Sequence, residues 1–201
     1  MPNCPNARIM RRGAGGMRAS VTKLLLACLM LIVPVQSGAN EHPLAVAIAQ
    51  IDADVVFMRH ALAPGTGDPA DFDVDDCATQ RNLDAAGRAQ AIRVGANIRA
   101  AGIAFTSVRT SPWCRCVDTA ALMAVGDWSL SLGLASFYDG HVDRAETVAL
   151  LRAELDRLQP GVTLMVTHQV VISAITGRYT RSGAMVAFNS QTGQAVPVDA
   201  F

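Results

Sequence analysis

With 201 residues, 17 basic side chains against 17 acidic ones and a hydrophobic fraction of 51%, the chain has the size of one domain built on a single core. Five of the cations, Arg8, Arg11, Arg12, Arg18 and Lys23, lie near the N-terminus, so the chain beyond residue 39 carries 12 arginines, no lysine and all 17 acids, a formal charge of −5. A mildly acidic domain without a basic run argues against nucleic acid and anionic membrane as partners.

The N-terminal cations precede the apolar run Leu24–Val35, and Ser37-Gly38-Ala39 follows with small residues at both specificity positions for cleavage after Ala39. Residues 1–39 read as a secretory signal peptide, with a periplasmic or secreted destination. About a dozen apolar residues containing Pro34 fall short of the ~20 that span a bilayer, so no stable membrane anchor is expected after processing. Residues 40–201 are then expected to form one domain.

Within that domain, Asp54-Val-Val-Phe-Met58 is a short apolar run that predicts a buried strand. Residues 62–80 hold Pro64, Gly65, Gly67 and Pro69 among the acids Asp68, Asp71, Asp73, Asp75 and Asp76, and predict a solvated loop with no packed element. Asp84 predicts the start of a helix to about Ala101, with Gly102 as its stop. Strand Ala104–Thr110, a helix from Pro112 to about Met123, a strand near Trp128–Leu132 and a helix from Asp143 to about Leu158 follow. Val162–Thr167 is the clearest buried strand, a helix follows His168, and residues 184–188 and 195–199 add a last strand or hairpin. Strands alternating with helices predict an α/β three-layer sandwich, with a largely parallel central sheet and helices on both faces.

Polar residues sit at corresponding places in this pattern: Arg59 and His60 after the first strand, Arg115 early in the helix after the second, and His168 after the strongest strand. Ligands of open α/β sheets bind at the C-terminal strand edge, so the four are expected to converge on one crevice. Two imidazoles and two guanidiniums in one place suit a tetrahedral dianion. Taken singly, a buried histidine is more often a structural residue, and Arg59 or Arg115 could close an ion pair with Asp118 or Asp76.

Phe57-Met-Arg-His-Ala61 resembles the RHG motif of the histidine phosphatase superfamily, which contains the cofactor-dependent phosphoglycerate mutases and many phosphatases. Thr110-Ser-Pro-Trp-Cys-Arg-Cys-Val-Asp-Thr-Ala120 resembles that family's second block, Val166-Thr-His-Gln169 its third, and Arg81–Ala91 the segment that opens its first long helix. The resemblance implies a phosphoric monoester hydrolase of the first branch of that family. In it His60 is the nucleophile, and Arg59, Arg115 and His168 hold the phosphate oxygens. It implies no cofactor and no metal, and a phosphorylated small molecule or an envelope phosphomonoester as substrate. Ala61 stands where the family has glycine, and Gln169 where its second branch has an acid. The glutamate that donates a proton to the leaving group has no clean counterpart. Asp139 is the nearest candidate, with Glu146 and Asp76 as the others. These departures keep open a second reading, a member of the same fold that binds a phosphorylated ligand without turning it over.

Cys77, Cys114 and Cys116 survive processing, and their spacing matches no common zinc frame. In an oxidising compartment a disulfide from Cys77 to Cys116 or to Cys114 is expected, with Cys116 favoured; the competing reading makes all three small apolar fillers of the core.

Overall fold

The computed structural model describes residues 41–199, and the expected signal peptide at 1–39 lies outside the described residues. Helix α1 (Pro43–Ile51) leads into strand β1 (Val55–Arg59), followed by α2 (Ala85–Ala100), β2 (Ser107–Thr110), α3 (Cys114–Met123) and β3 (Trp128–Leu130). Then come α4 (Arg144–Leu155), β4 (Thr163–Thr167), α5 (Gln169–Thr176), β5 (Met185–Phe188) and β6 (Ala195–Val198). The sheet runs in the order β3-β2-β4-β1-β5-β6. Its first four strands are parallel, and β5 and β6 form an antiparallel hairpin beside β1. No helix among the described residues is long and apolar enough to cross a membrane.

Side chains of a strand point alternately to its two faces, and here the alternation divides the core in two. Val56 and Met58 of β1, Leu164 and Val166 of β4, and Met185 and Ala187 of β5 pack with α1, α2 and α3. Val55, Phe57, Met165, Val186 and Phe188 pack on the other face with Leu151 and Leu155 of α4 and Val171 and Ile172 of α5. Both faces of β1, β4 and β5 are buried, which is why these strands read as unbroken apolar runs. The layered α/β sandwich expected from the sequence is the architecture observed.

Local chemistry sets the helix ends. Asp84 caps α2 by accepting the Gly87 N–H at 2.7 Å, and Asp143 caps α4 by accepting that of Glu146 at 2.8 Å. At Gly95 a β-carbon would lie 1.9 Å from the Met123 carbonyl oxygen, so only glycine lets α2 close on the end of α3. The second strand starts at Ser107, three residues later than expected, and α4 stops at Leu155. Helix α1 was not expected at all.

The loop at 62–80 departs most from expectation. Two of its exposed acids are tied to its own backbone: Asp73 accepts from the Asp75 N–H and Asp76 from that of Ala78, both at 2.9 Å. Asp76 thereby caps a single 3₁₀ turn, Cys77–Thr79. Gln80 is buried, and its Oε1 accepts the Cys114 N–H at 2.9 Å. Phe72 stacks on Trp113 with ring centroids 5.2 Å apart. A disulfide joins Cys77 to Cys114, with α-carbons 5.7 Å apart. The favoured pairing with Cys116 is therefore corrected: Cys116 is free and wholly buried, on the side of α3 away from the loop's cysteine.

Candidate functional site

The C-terminal ends of the central strands deliver the polar residues to one cleft of about 170 Å³. Arg59 ends β1, and His60 follows it; Arg115 lies in the first turn of α3, and His168 directly precedes α5. All four line the cleft, and so does Asp139. Asp76 and Glu146 are exposed and lie outside it, Asp76 capping the 3₁₀ turn and Glu146 in the first turn of α4.

His60 is 2% exposed, and its Nδ1 lies 2.7 Å from the Ala61 carbonyl oxygen. A carbonyl only accepts, so Nδ1 carries the proton and the lone pair is left on Nε2. Burial, reinforced by the Arg115, Arg81 and Arg59 charges and opposed by the Ala61 hydrogen bond, lowers the His60 pKa to about 3. The imidazole is thus neutral at any pH near 7. Ala61, in place of glycine, is fully buried and donates its N–H to Thr119 Oγ1 at 3.0 Å.

His168 sits with its ring centroid 5.4 Å from that of His60. Its Nε2 is 2.9 Å from Ser111 Oγ, which itself accepts the Trp113 N–H at 3.4 Å. The Ser111 hydroxyl and Nε2 thus share one hydrogen bond, which fixes the ring's orientation. Burial first, then the Arg115 charge, hold its pKa well below the ordinary value. Cys116 packs behind, with Sγ 3.5 Å from Nε2. Burial pushes its thiol up to about 12.

The guanidiniums are tethered. Arg59 donates Nη1 to the Thr180 carbonyl at 3.0 Å. Thr180 is clamped in turn by Gln169 Oε1, which accepts from its N–H and its hydroxyl at 2.7 Å each. Arg115 forms a two-pronged ion pair with Asp68, Nη1 to Oδ1 at 2.7 Å and Nη2 to Oδ2 at 3.1 Å. Neither Asp118 nor Asp76 is its partner; Asp118 instead pairs with Arg88 at 2.5 Å. Burial raises the Asp68 carboxyl, but Arg115's hydrogen bonds and charge outweigh that and hold it below the usual range. The Nε atoms of Arg59 and Arg115 are buried without a partner among the described residues. Arg81 also lines the cleft, anchored by Nε to the Gly67 carbonyl at 2.7 Å and by Nη1 to that of Ala63. The sequence reading missed Arg81, Asp68 and Ser111 as site residues. Arg81 and Ser111 stood inside the quoted blocks, whereas nothing set Asp68 apart from the acids around it.

Two neutral buried imidazoles make the fold acid-sensitive. In the unfolded chain they protonate near pH 6.5, whereas His60 stays neutral in the fold down to about 3. Between those values the unfolded state binds more protons, so stability falls as pH falls, by up to about 1.4 kcal/mol per pH unit for each histidine. Asp68 acts in the same direction at the acid end, since its stabilisation is lost as pH drops through its lowered pKa. The melting temperature should drop between pH 7 and pH 5, and His168→Asn should flatten that dependence; a melting temperature constant over this range would contradict the assignment.

No family model matches the chain, and no curated protein matches it in sequence. Among solved structures it is similar to phosphoserine phosphatase in complex with 3-phosphoglyceric acid from Entamoeba histolytica. The TM-score is 0.51 at 15% identity, covering 71% of this chain and 93% of that one. A candidate alpha-ribazole-5′-P phosphatase from Escherichia coli gives a TM-score of 0.51 at 16% identity, covering 73% of this chain and 95% of that one. The chain thus shares its α/β fold with these two phosphatase structures.

Proposed function

We propose that this chain hydrolyses phosphomonoesters by carrying the phosphoryl group transiently on His60. The observation that carries the reading is the neutral His60, its Nε2 lone pair in a cleft lined by Arg59, Arg81, Arg115 and His168. In this mechanism Nε2 attacks phosphorus as the ester oxygen leaves in line, forming a P–N bond and breaking the P–O bond. Water then attacks the phosphohistidine, and orthophosphate departs with the imidazole restored. The guanidiniums and the His168 imidazole hold the phosphoryl oxygens through both steps, positioning the group and compensating its charge. The two unpartnered Nε donors support this role, because buried donors left unmade are costly and an oxyanion satisfies them. Hydrolysis of a chromogenic phosphomonoester by the purified protein, with and without chelator, tests the reading. Phosphate binding without turnover would favour the non-catalytic alternative.

Asp139 is assigned the proton to the leaving oxygen, since of the three acids weighed it alone lines the cleft. Asp139→Asn should slow an alkyl phosphate far more than an aryl phosphate, whose leaving group needs little protonation. Equal losses on the two substrates would remove Asp139 from that role.

The substrate is assigned as a phosphorylated small molecule or a phosphomonoester of the cell envelope, met after export and cleavage behind Ala39. The signal-peptide pattern supports export, and so does a disulfide, which persists in oxidising compartments. Export requires that protein recovered from cells begin at Asn40.

A further inference from the structure

We propose that Asp68 is a positioning residue for the phosphoryl site, fixing the Arg115 guanidinium so that its Nε edge is presented to the bound oxyanion; this rests on the phosphatase reading. Four donors converge on the carboxylate: Arg115 Nη1 at 2.7 Å, Arg115 Nη2 at 3.1 Å, Trp113 Nε1 at 3.0 Å and the Arg81 N–H at 3.0 Å. The paired side chains are 1% and 3% exposed for Asp68 and Arg115, so solvent does not compete for this contact.

Guanidinium offers two forks in one plane. Asp68 takes the end fork, Nη1 with Nη2, and leaves the side fork, Nε with the second proton of Nη2. Arg115 lines the cleft, and its Nε is buried without a partner among the described residues. Arg59 repeats the pattern, with Nη1 held by the Thr180 carbonyl and Nε unpartnered. In both residues the protein secures one side of the guanidinium and leaves Nε for a ligand. Without Asp68, Arg115 keeps only the Nη1 bond to the Arg81 carbonyl at 3.2 Å, a single contact about which the planar group can swing, and the ordering cost would fall on each binding event.

A carboxylate near a phosphate also repels it. At Asp68 that effect is the smaller one, because the carboxylate lies at the far fork of the guanidinium and its charge is answered by four donors. A second contact separates positioning from general support of the loop. Asp68 donates its backbone N–H to Asp139 Oδ2 at 3.0 Å, a bond that side-chain substitution leaves in place. Asp68→Asn should therefore weaken phosphate binding without changing the ratio of alkyl to aryl phosphate turnover.

The test is a double-mutant cycle on the mature protein, with orthophosphate and orthovanadate titrated by calorimetry and as inhibitors of chromogenic hydrolysis. Asp68→Asn should raise the Kd for both anions about tenfold, the worth of a charge-assisted contact. In an Arg115→Ala background the same change should have no further effect. Unchanged or tighter binding in Asp68→Asn, or an equal loss in the Arg115→Ala background, overturns the proposal alone. A wild-type protein that binds neither anion and hydrolyses nothing overturns the phosphatase reading itself. Melting curves accompany each variant. If Asp68→Asn does not fold, Asp68→Glu, which keeps the charge but displaces the fork, is carried through the cycle with the same expected direction.

Discussion

Replacing His60 with alanine should lower hydrolysis of a chromogenic phosphomonoester by several orders of magnitude, because it deletes the covalent route rather than weakening a contact. The companion experiment looks for the intermediate. Stopped in alkaline denaturant during turnover, wild-type protein should carry phosphate on His60, in a bond stable to base and lost in acid as expected of a phosphoramidate. Label found on an aspartate, a serine or a cysteine sinks the mechanism. The effect on affinity should be far smaller than the effect on rate, since Arg59, Arg81, Arg115 and His168 remain to hold orthophosphate. His60 is neutral without help from a base, held by burial and by surrounding cations. Turnover should therefore not fall with the titration of an ordinary histidine between pH 7 and pH 6.

The second large effect belongs to the disulfide. Cys77 and Cys114 are 37 residues apart in sequence, and the chain-entropy model gives such a closure roughly 4 kcal/mol. For a domain of this size that corresponds to a melting temperature lowered by roughly 8–16 °C in Cys77→Ser or in reduced protein. Because the bridged loop carries Asp68 to Arg115 and leads into Arg81 at the cleft, anion affinity should fall with it. A non-reducing tryptic map checks the pairing directly, since cleavage after Arg115 separates Cys114 from Cys116. The Cys77 peptide should be joined to the one ending at Arg115, with the Cys116 thiol alkylated only after unfolding. Three alkylatable thiols after unfolding without reductant would contradict the bridge.

The sequence made the strand ends legible and left the loop opaque, for identifiable reasons. Strands buried on both faces leave short apolar runs, so the places of Arg59, His60 and His168 could be read from chain order alone. Arg115 was placed with them, but its partner was not. Asp68 is one of five acids in nine residues, and only the tertiary path of the loop brings it, rather than Asp76, against α3. Cys114 and Cys116 lie about 100° to either side of Arg115 on the helix, a symmetry that sequence cannot break. The structure breaks it by turning Cys116 towards Ser111 and His168 and Cys114 towards the loop. Helix α1 escaped notice because Leu44-Ala-Val-Ala-Ile-Ala49 is apolar throughout and shows no polar face to mark a helical period.

The two histidines follow neighbouring parallel strands at the centre of the sheet, where Arg59 and Thr167 are register partners and the His60 N–H bonds the Thr167 carbonyl at 2.9 Å. Their rings are 5.4 Å apart, close to the ~4.8 Å that hydrogen bonding imposes between any two adjacent strands. The backbone pairing of β1 with β4 thus brings the two imidazoles side by side. Side chains in the helices and loops can drift without changing that pairing, whereas a slip of one residue between β1 and β4 would turn one imidazole to the opposite face. Such a division would let the loops around the cleft vary while the two imidazoles stay beside each other.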